Sequence, residues 1–116
     1  MSKRLPDWLR LWFQSALISE IYPEIRAIAV MLSDDRVLTV RYYLDREATD
    51  FDYESLQMVV SEVLSNTTST SEIQSVVEEC YFSDEKMSEI DRLNGLVYAR
   101  REYDLFQPSP SAASGT

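Results

Sequence analysis

Histidine is absent from this chain of 116 residues, cysteine occurs once and glycine twice. Each scarcity removes a class of chemistry. Histidine is the side chain that most often moves protons near neutral pH and the commonest metal ligand, so general acid–base catalysis and imidazole metal sites are disfavoured. The one thiol, Cys80, has no partner for an internal disulfide, which suits a reducing compartment. No base flanks it to generate a thiolate, so it reads as a buried structural thiol. Gly95 and Gly115 cannot build a glycine-rich phosphate loop. Positive charge is scarce too: 11 Lys and Arg face 20 Asp and Glu, a net charge of −9. Such a surface repels nucleic acid and anionic lipid and attracts basic proteins. The basic pairs Lys3-Arg4 and Arg100-Arg101 are too few to offset it. Long apolar runs are missing as well. Asp7, Arg10 and Gln14 interrupt the one stretch that superficially looks like a signal peptide, and no window is long enough to span a membrane. The expectation is a soluble cytoplasmic protein, free of cofactor and metal, that binds neither nucleic acid nor membrane.

What is present is enough to fold. Hydrophobic residues make up 45% of the chain and aromatics 11%, too rich for a disordered acidic polymer. One domain over residues 1–105 is expected. The tail QPSPSAASGT is poor in apolar residues, so residues 106–116 are assigned as disordered.

Leu9, Trp12, Phe13, Ala16, Leu17 and Ile21 draw one stripe on a helix from Asp7 to Tyr22, stopped by Pro23. The runs Ile25–Leu32 and Arg36–Leu44 flank Ser33-Asp34-Asp35 and read as a β-hairpin. In its second strand Leu38, Val40, Tyr42 and Leu44 face the core, leaving Arg41 and Tyr43 towards solvent or a partner. Thr49-Asp50-Phe51-Asp52 is a capping box that opens a second helix running to Leu64. The segment 72–82 fits either a helix or a strand, and its β-branched and aromatic content favours a strand around Ile73–Phe82. A short helix after Ser83, closed by Gly95 in the left-handed conformation, precedes a last strand, Leu96–Tyr103. The order α-β-β-α-β-β predicts an α+β fold, a four-stranded antiparallel sheet with two helices on one face.

The acids gather in two windows. The first holds Asp45, Glu47, Asp50, Asp52 and Glu54, with Tyr53 among them. It lacks the spacing and mid-loop glycine of a calcium loop, so helix-cap acids are the better reading. The second holds Glu78, Glu79, Asp84, Glu85, Glu89 and Asp91, beside Tyr81 and Phe82. A carboxylate beside an exposed tyrosine grips arginine and lysine well, the acid taking the charge and the ring giving contact area. The competing reading is a solubilising surface whose tyrosines belong to the core. Candidate partner contacts are Asp45, Glu47, Asp50, Asp52, Tyr53 and Glu54, with Glu78, Glu79, Asp84 and Glu85 as the second set. Lysine at Asp50, Asp52 and Glu54 is expected to weaken binding while leaving the fold intact. No buried acid pair suited to hydrolysis is evident, and an enzyme is not expected.

The stretches IYPEIRAIAV, RYYLDREATDFDYESLQ, EECYFSD and GLVYARRE resemble small acidic immunity proteins of bacterial contact-dependent inhibition and related polymorphic-toxin systems. The resemblance runs from about Ile18 to Glu102. It implies a role and no particular residue: binding and neutralising the C-terminal toxin domain of a cognate effector, as a monomer when free. Toxins of these systems are commonly nucleases with basic substrate grooves, which an acidic inhibitor can occupy. The alternative is an acidic chaperone for a secreted effector, expected to be a dimer.

Overall fold

The structure, a computed structural model, describes residues 4–67 and 72–102. Helix α1 (Asp7–Ala16) is followed by strands β1 (Ile25–Leu32) and β2 (Val37–Leu44). Helix α2 (Asp50–Leu64), strand β3 (Ser75–Phe82), a 3₁₀ turn (Met87–Glu89) and strand β4 (Gly95–Ala99) complete the order. The strands lie side by side as β3-β2-β1-β4. The expected disordered tail lies outside the described residues.

The fold is α+β, with two helices and four strands, but the sheet is mixed and not antiparallel throughout. β1 pairs antiparallel with β2 and with β4, whereas β2 and β3 run parallel from Val37↔Ser75 to Leu44↔Phe82. The reason is connectivity. Parallel neighbours need a crossover of a dozen or more residues, and the 15-residue helix α2 is that crossover.

The core follows from the strand pattern. β1, IRAIAVML, is buried along nearly its whole length because it lies inside the sheet with both faces covered. On one face Ile28, Val30, Leu38, Val40, Tyr42 and Leu44 meet Leu9 and Phe13 of α1 and Leu56, Val59 and Val63 of α2. On the other, Met87 and Ile90 sit on Ala27, Ala29 and Tyr43. The small alanines leave room for that segment to lie close.

Several local expectations need correction. α1 stops at Ala16, not Tyr22; Ser19 takes a positive φ of 69°, and the chain turns so that Tyr22 reaches α2. The segment after Ser83 forms only a 3₁₀ turn, and Gly95 has no positive φ; Leu93 does, at 54°. Gly95 instead opens β4, where a Cβ would meet the Arg10 guanidinium at 2.9 Å. Tyr43 does not face solvent. It is 4% exposed beneath the residues that follow β3.

Candidate functional site

The first acidic window is built into the frame. Asp52, at the third position of α2, is 0% exposed and cannot be a contact residue in the folded chain. Its Oδ2 accepts the Thr49 N–H at 2.7 Å, the Thr49 hydroxyl at 3.0 Å and Arg46 Nη1 at 2.6 Å. Its Oδ1 accepts the Tyr22 hydroxyl at 2.6 Å and Arg46 Nη2 at 3.1 Å. The capping box read from Thr49 and Asp52 is present, with a larger task than capping. Burial alone would raise this carboxyl, but the Arg46, Tyr22 and Thr49 donors outweigh it and hold it well below the usual carboxylate range. Burial and the adjacent Asp52 push the Tyr22 hydroxyl in the opposite direction, upward. The triple lysine reversal that includes Asp52 therefore cannot leave the fold intact.

Asp45 is also engaged. Its Oδ2 lies 2.8 Å from Arg100 Nη1, and Arg100 also bonds Glu102 and the Pro23 carbonyl. Glu102 in turn takes both Nε and Nη2 of the buried Arg26, at 2.9 and 2.6 Å. Glu47, Asp50, Tyr53 and Glu54 are exposed, and the Asp45 side chain, though paired, is still 40% exposed. Glu54 borders a separate cleft of about 280 Å³ between the end of α1 and α2, lined by Tyr22, Phe51 and Met58.

The second window makes a different object. β3 carries Glu79 and Tyr81 on the face away from the helices, and the turn after it swings Asp84 and Glu85 over the same side. Arg41, Tyr43, Tyr81, Phe82, Asp84, Glu85, Glu89 and Asp91 line a groove of about 450 Å³ with one cation and four carboxylates. Arg41 is held on several sides. Its Nε bonds Glu79 Oε1 at 2.7 Å and its Nη1 bonds the Tyr43 hydroxyl at 3.0 Å. Its guanidinium carbon stands 4.7 Å from the centre of the Tyr81 ring, within cation–π range. The Tyr43 hydroxyl donates to the Asp91 carbonyl at 2.9 Å, which pins the far wall. No lysine or arginine among the described residues pairs with Asp84, Glu85 or Glu89. Tyr81 and Phe82 are 44% and 46% exposed.

The structure thus brings Glu79, Asp84 and Glu85 to one place and leaves Glu78 on the opposite face of β3. Arg41, Tyr81, Phe82, Glu89 and Asp91 complete the groove though they were not among the candidate contacts. The sequence signal for them was the aromatic pair Tyr81-Phe82 inside the acidic window. Tyr53 stands elsewhere, its hydroxyl 3.4 Å from the Cys80 amide at the outer edge of β3. Cys80 itself is a buried free thiol, pushed up to about 12 by burial and by the charges of Asp52 and Glu78.

Among the described residues, no three of His, Cys, Asp and Glu come together as metal ligands would. No helix among them is long and apolar enough to cross a membrane. What the groove can do chemically is accept a cationic side chain, with a ring to lie against and carboxylates to bond.

No curated protein matches the chain. A family pattern does, described as MafI2 immunity protein, and the match covers residues 6–102, all four strands and both helices. The chain belongs to the MafI2 immunity protein family.

Proposed function

We propose that this protein neutralises a cognate toxin domain by taking a basic segment of it into the groove between Tyr81, Phe82 and the 84–91 turn. The single observation that carries this reading is the imbalance of the groove. Its lone lining cation, Arg41, is already bonded to Glu79 and paired with Asp91 at 3.9 Å, so the other rim carboxylates, Asp84, Glu85 and Glu89, are left to a partner. A lysine or arginine entering there bonds Asp84, Glu85 or Glu89 while its stem lies on Tyr81 or Phe82.

The toxin is a nuclease in this reading, because a surface that holds phosphates is basic and complements a chain of net charge −9. The rim acids then stand where phosphates would lie. Opposite charge accelerates encounter, and a few desolvated anchors slow release. The protein works as a monomeric, non-enzymatic inhibitor in the cytoplasm of the producing cell. Of the first window, Glu47, Asp50 and Glu54 are left as peripheral contacts.

The test is titration of the C-terminal toxin domain encoded beside this gene against wild type and D84K/E85K/E89K. The expected result is a loss of affinity of about 100-fold or more and loss of protection in a growth assay. Unchanged affinity in that triple variant removes the groove from the interface.

A further inference from the structure

β3 is one of the two edge strands of the sheet, β4 being the other, and the register of its inner edge determines what its outer edge offers. The Ser75 amide donates to the Arg36 carbonyl at 3.5 Å and the Ser83 amide to the Leu44 carbonyl at 3.0 Å. In a parallel pair, alternate residues turn both N–H and C=O to the same neighbour. The odd-numbered residues of β3 therefore bond β2, and Val76, Glu78, Cys80 and Phe82 turn their main-chain groups outward. The Cys80 amide bears this out, because its partner is the Tyr53 hydroxyl of α2 and not β2. Among the described residues, no other strand pairs with this edge.

Exposed edges of natural sheets are commonly blunted by charged side chains, lysine above all, by proline, by a bulge, by extreme shortness or by a covering element. SVVEECYF has no proline and no lysine, runs eight residues and keeps its register with β2 without a break; its charges are Glu78 and Glu79, and Tyr53 of α2 meets its outer edge at the Cys80 amide. Its Val77 and Tyr81 are 43% and 44% exposed on the face away from the helices. A second copy fits poorly. An antiparallel pairing through the outward, even-numbered residues sets Glu78 against the second copy's Glu78 or, one register along, Glu79 against its Glu79, and like charges directly opposite destabilise. Each copy also brings a net charge of −9.

Resting on the reading that the protein binds a toxin domain, we propose that the outer edge of β3 pairs by main-chain hydrogen bonds with an extended segment of that domain. Its side chains alternate, apolar beside Val77 and Tyr81 on one face and basic beside Glu78 on the other. The end of β3 at Tyr81 and Phe82 is the wall of the acidic groove, so the same segment runs from the edge into it.

The experiment uses the full chain and the toxin domain encoded beside its gene. Glu78→Pro removes an outward N–H and leaves the ladder to β2 intact, a position where an edge strand tolerates proline. The expected result is at least tenfold weaker binding with little change in Tm, whereas Glu78→Ala, which keeps the amide, loses less. Amide exchange on the wild-type complex gives a second readout that needs no variant. The Val76, Glu78 and Phe82 amides become protected on binding, while the odd-numbered amides are already slow in the free protein. If wild type binds the toxin but these even-numbered amides exchange as before, or Glu78→Pro binds as wild type does, edge pairing is wrong and toxin binding stands. If wild type fails to bind, the toxin reading falls first. A concentration-dependent dimer that Glu78→Pro abolishes assigns the edge to a second copy and overturns the proposal.

Discussion

Two stretches of the chain have nearly the same composition, acids laced with tyrosine and phenylalanine, and the fold uses them in opposite ways. Around Asp45–Glu54 the carboxylates with the most partners are turned inward or sideways: Asp52 to Arg46, Tyr22 and Thr49, Asp45 to Arg100. Around Glu79–Asp91 one internal arginine is held by Glu79, and the acids beyond it line an open groove. Net charge does not separate the two. The number of donors within reach does. An acid at the start of a helix meets free amides and the positive end of the helix dipole. An acid on a turn after an edge strand meets water. The comparison teaches that acidic character marks a binding surface only where the molecule has not already used it.

The sharpest way to break this contrast is to remove the buried acid of the first region and reverse the three rim acids of the second. Asp52→Ala strands the Tyr22 hydroxyl and the Thr49 amide and unpairs Arg46, and is expected to cost about 3 kcal/mol, measured by urea unfolding. D84K/E85K/E89K is expected to move stability by no more than about 0.5 kcal/mol. Equal losses in the two variants would dissolve the distinction. Acid provides a second probe. Because the Asp52 carboxyl is held below its ordinary range, its stabilisation is fully present above about pH 4 and is lost as pH falls further, when proton uptake favours the unfolded chain. Glu102, lowered chiefly by its bond from Arg26, acts in the same direction. Unfolding midpoints should therefore be flat from pH 5 to 7 and fall steeply below about pH 4, and Asp52→Ala should blunt that fall.

Much of the frame was legible. The hairpin, both helices, the Thr49–Asp52 box and the strand character of 75–82 follow from periodicity and cap residues that act over a few positions. The parallel pairing was not legible in the same way: α2 is long enough for the crossover that parallel neighbours need, but only the structure shows that β2 and β3 are neighbours. What periodicity could not give was burial by distant elements. Tyr43 alternates as an outward residue and is covered only because Met87 and Ile90 fold over it. Asp52 looked like its acidic neighbours until Tyr22 and Arg46, neither of them on α2, were brought to it. For the same reason the candidate contacts mixed framework acids with groove acids, and their separation needed three dimensions.

Within the groove, the rings sharpen the comparison further. Tyr81→Ala removes the surface on which a cationic stem would lie and frees the Arg41 guanidinium from its stacking partner. An anchor of this kind is worth about 2 kcal/mol, so toxin binding should weaken about 30-fold. Stability should change by less than about 1 kcal/mol, because the ring is 44% exposed. Phe51, an exposed ring within the first window that meets Tyr22 edge to face, is the matched control, and Phe51→Ala should leave affinity unaltered. Raising salt separates the regions again. Between about 0.05 and 0.5 M the association rate should fall about tenfold, because rim charges act through solvent and are screened. The Asp52–Arg46 contact, whose carboxylate is fully buried, should register little of this change.

The smallest expected effect isolates the structural use of an acid without altering any charge. Thr49→Ala leaves every carboxylate in place and removes only the hydroxyl that donates to Asp52 Oδ2 at 3.0 Å. The Thr49 amide still reaches that oxygen, and Arg46 and Tyr22 still hold the carboxylate. One cap interaction is lost, which costs about 1 kcal/mol. If the first window is framework, this neutral substitution lowers the unfolding midpoint and leaves toxin affinity unchanged. If it were instead the docking surface, a hydroxyl tucked behind Asp52 would matter little to stability, while the loosened start of α2, where Asp50, Tyr53 and Glu54 stand, would weaken binding. The two outcomes move different observables, so a single residue with no charge decides which use of acid this end of α2 represents.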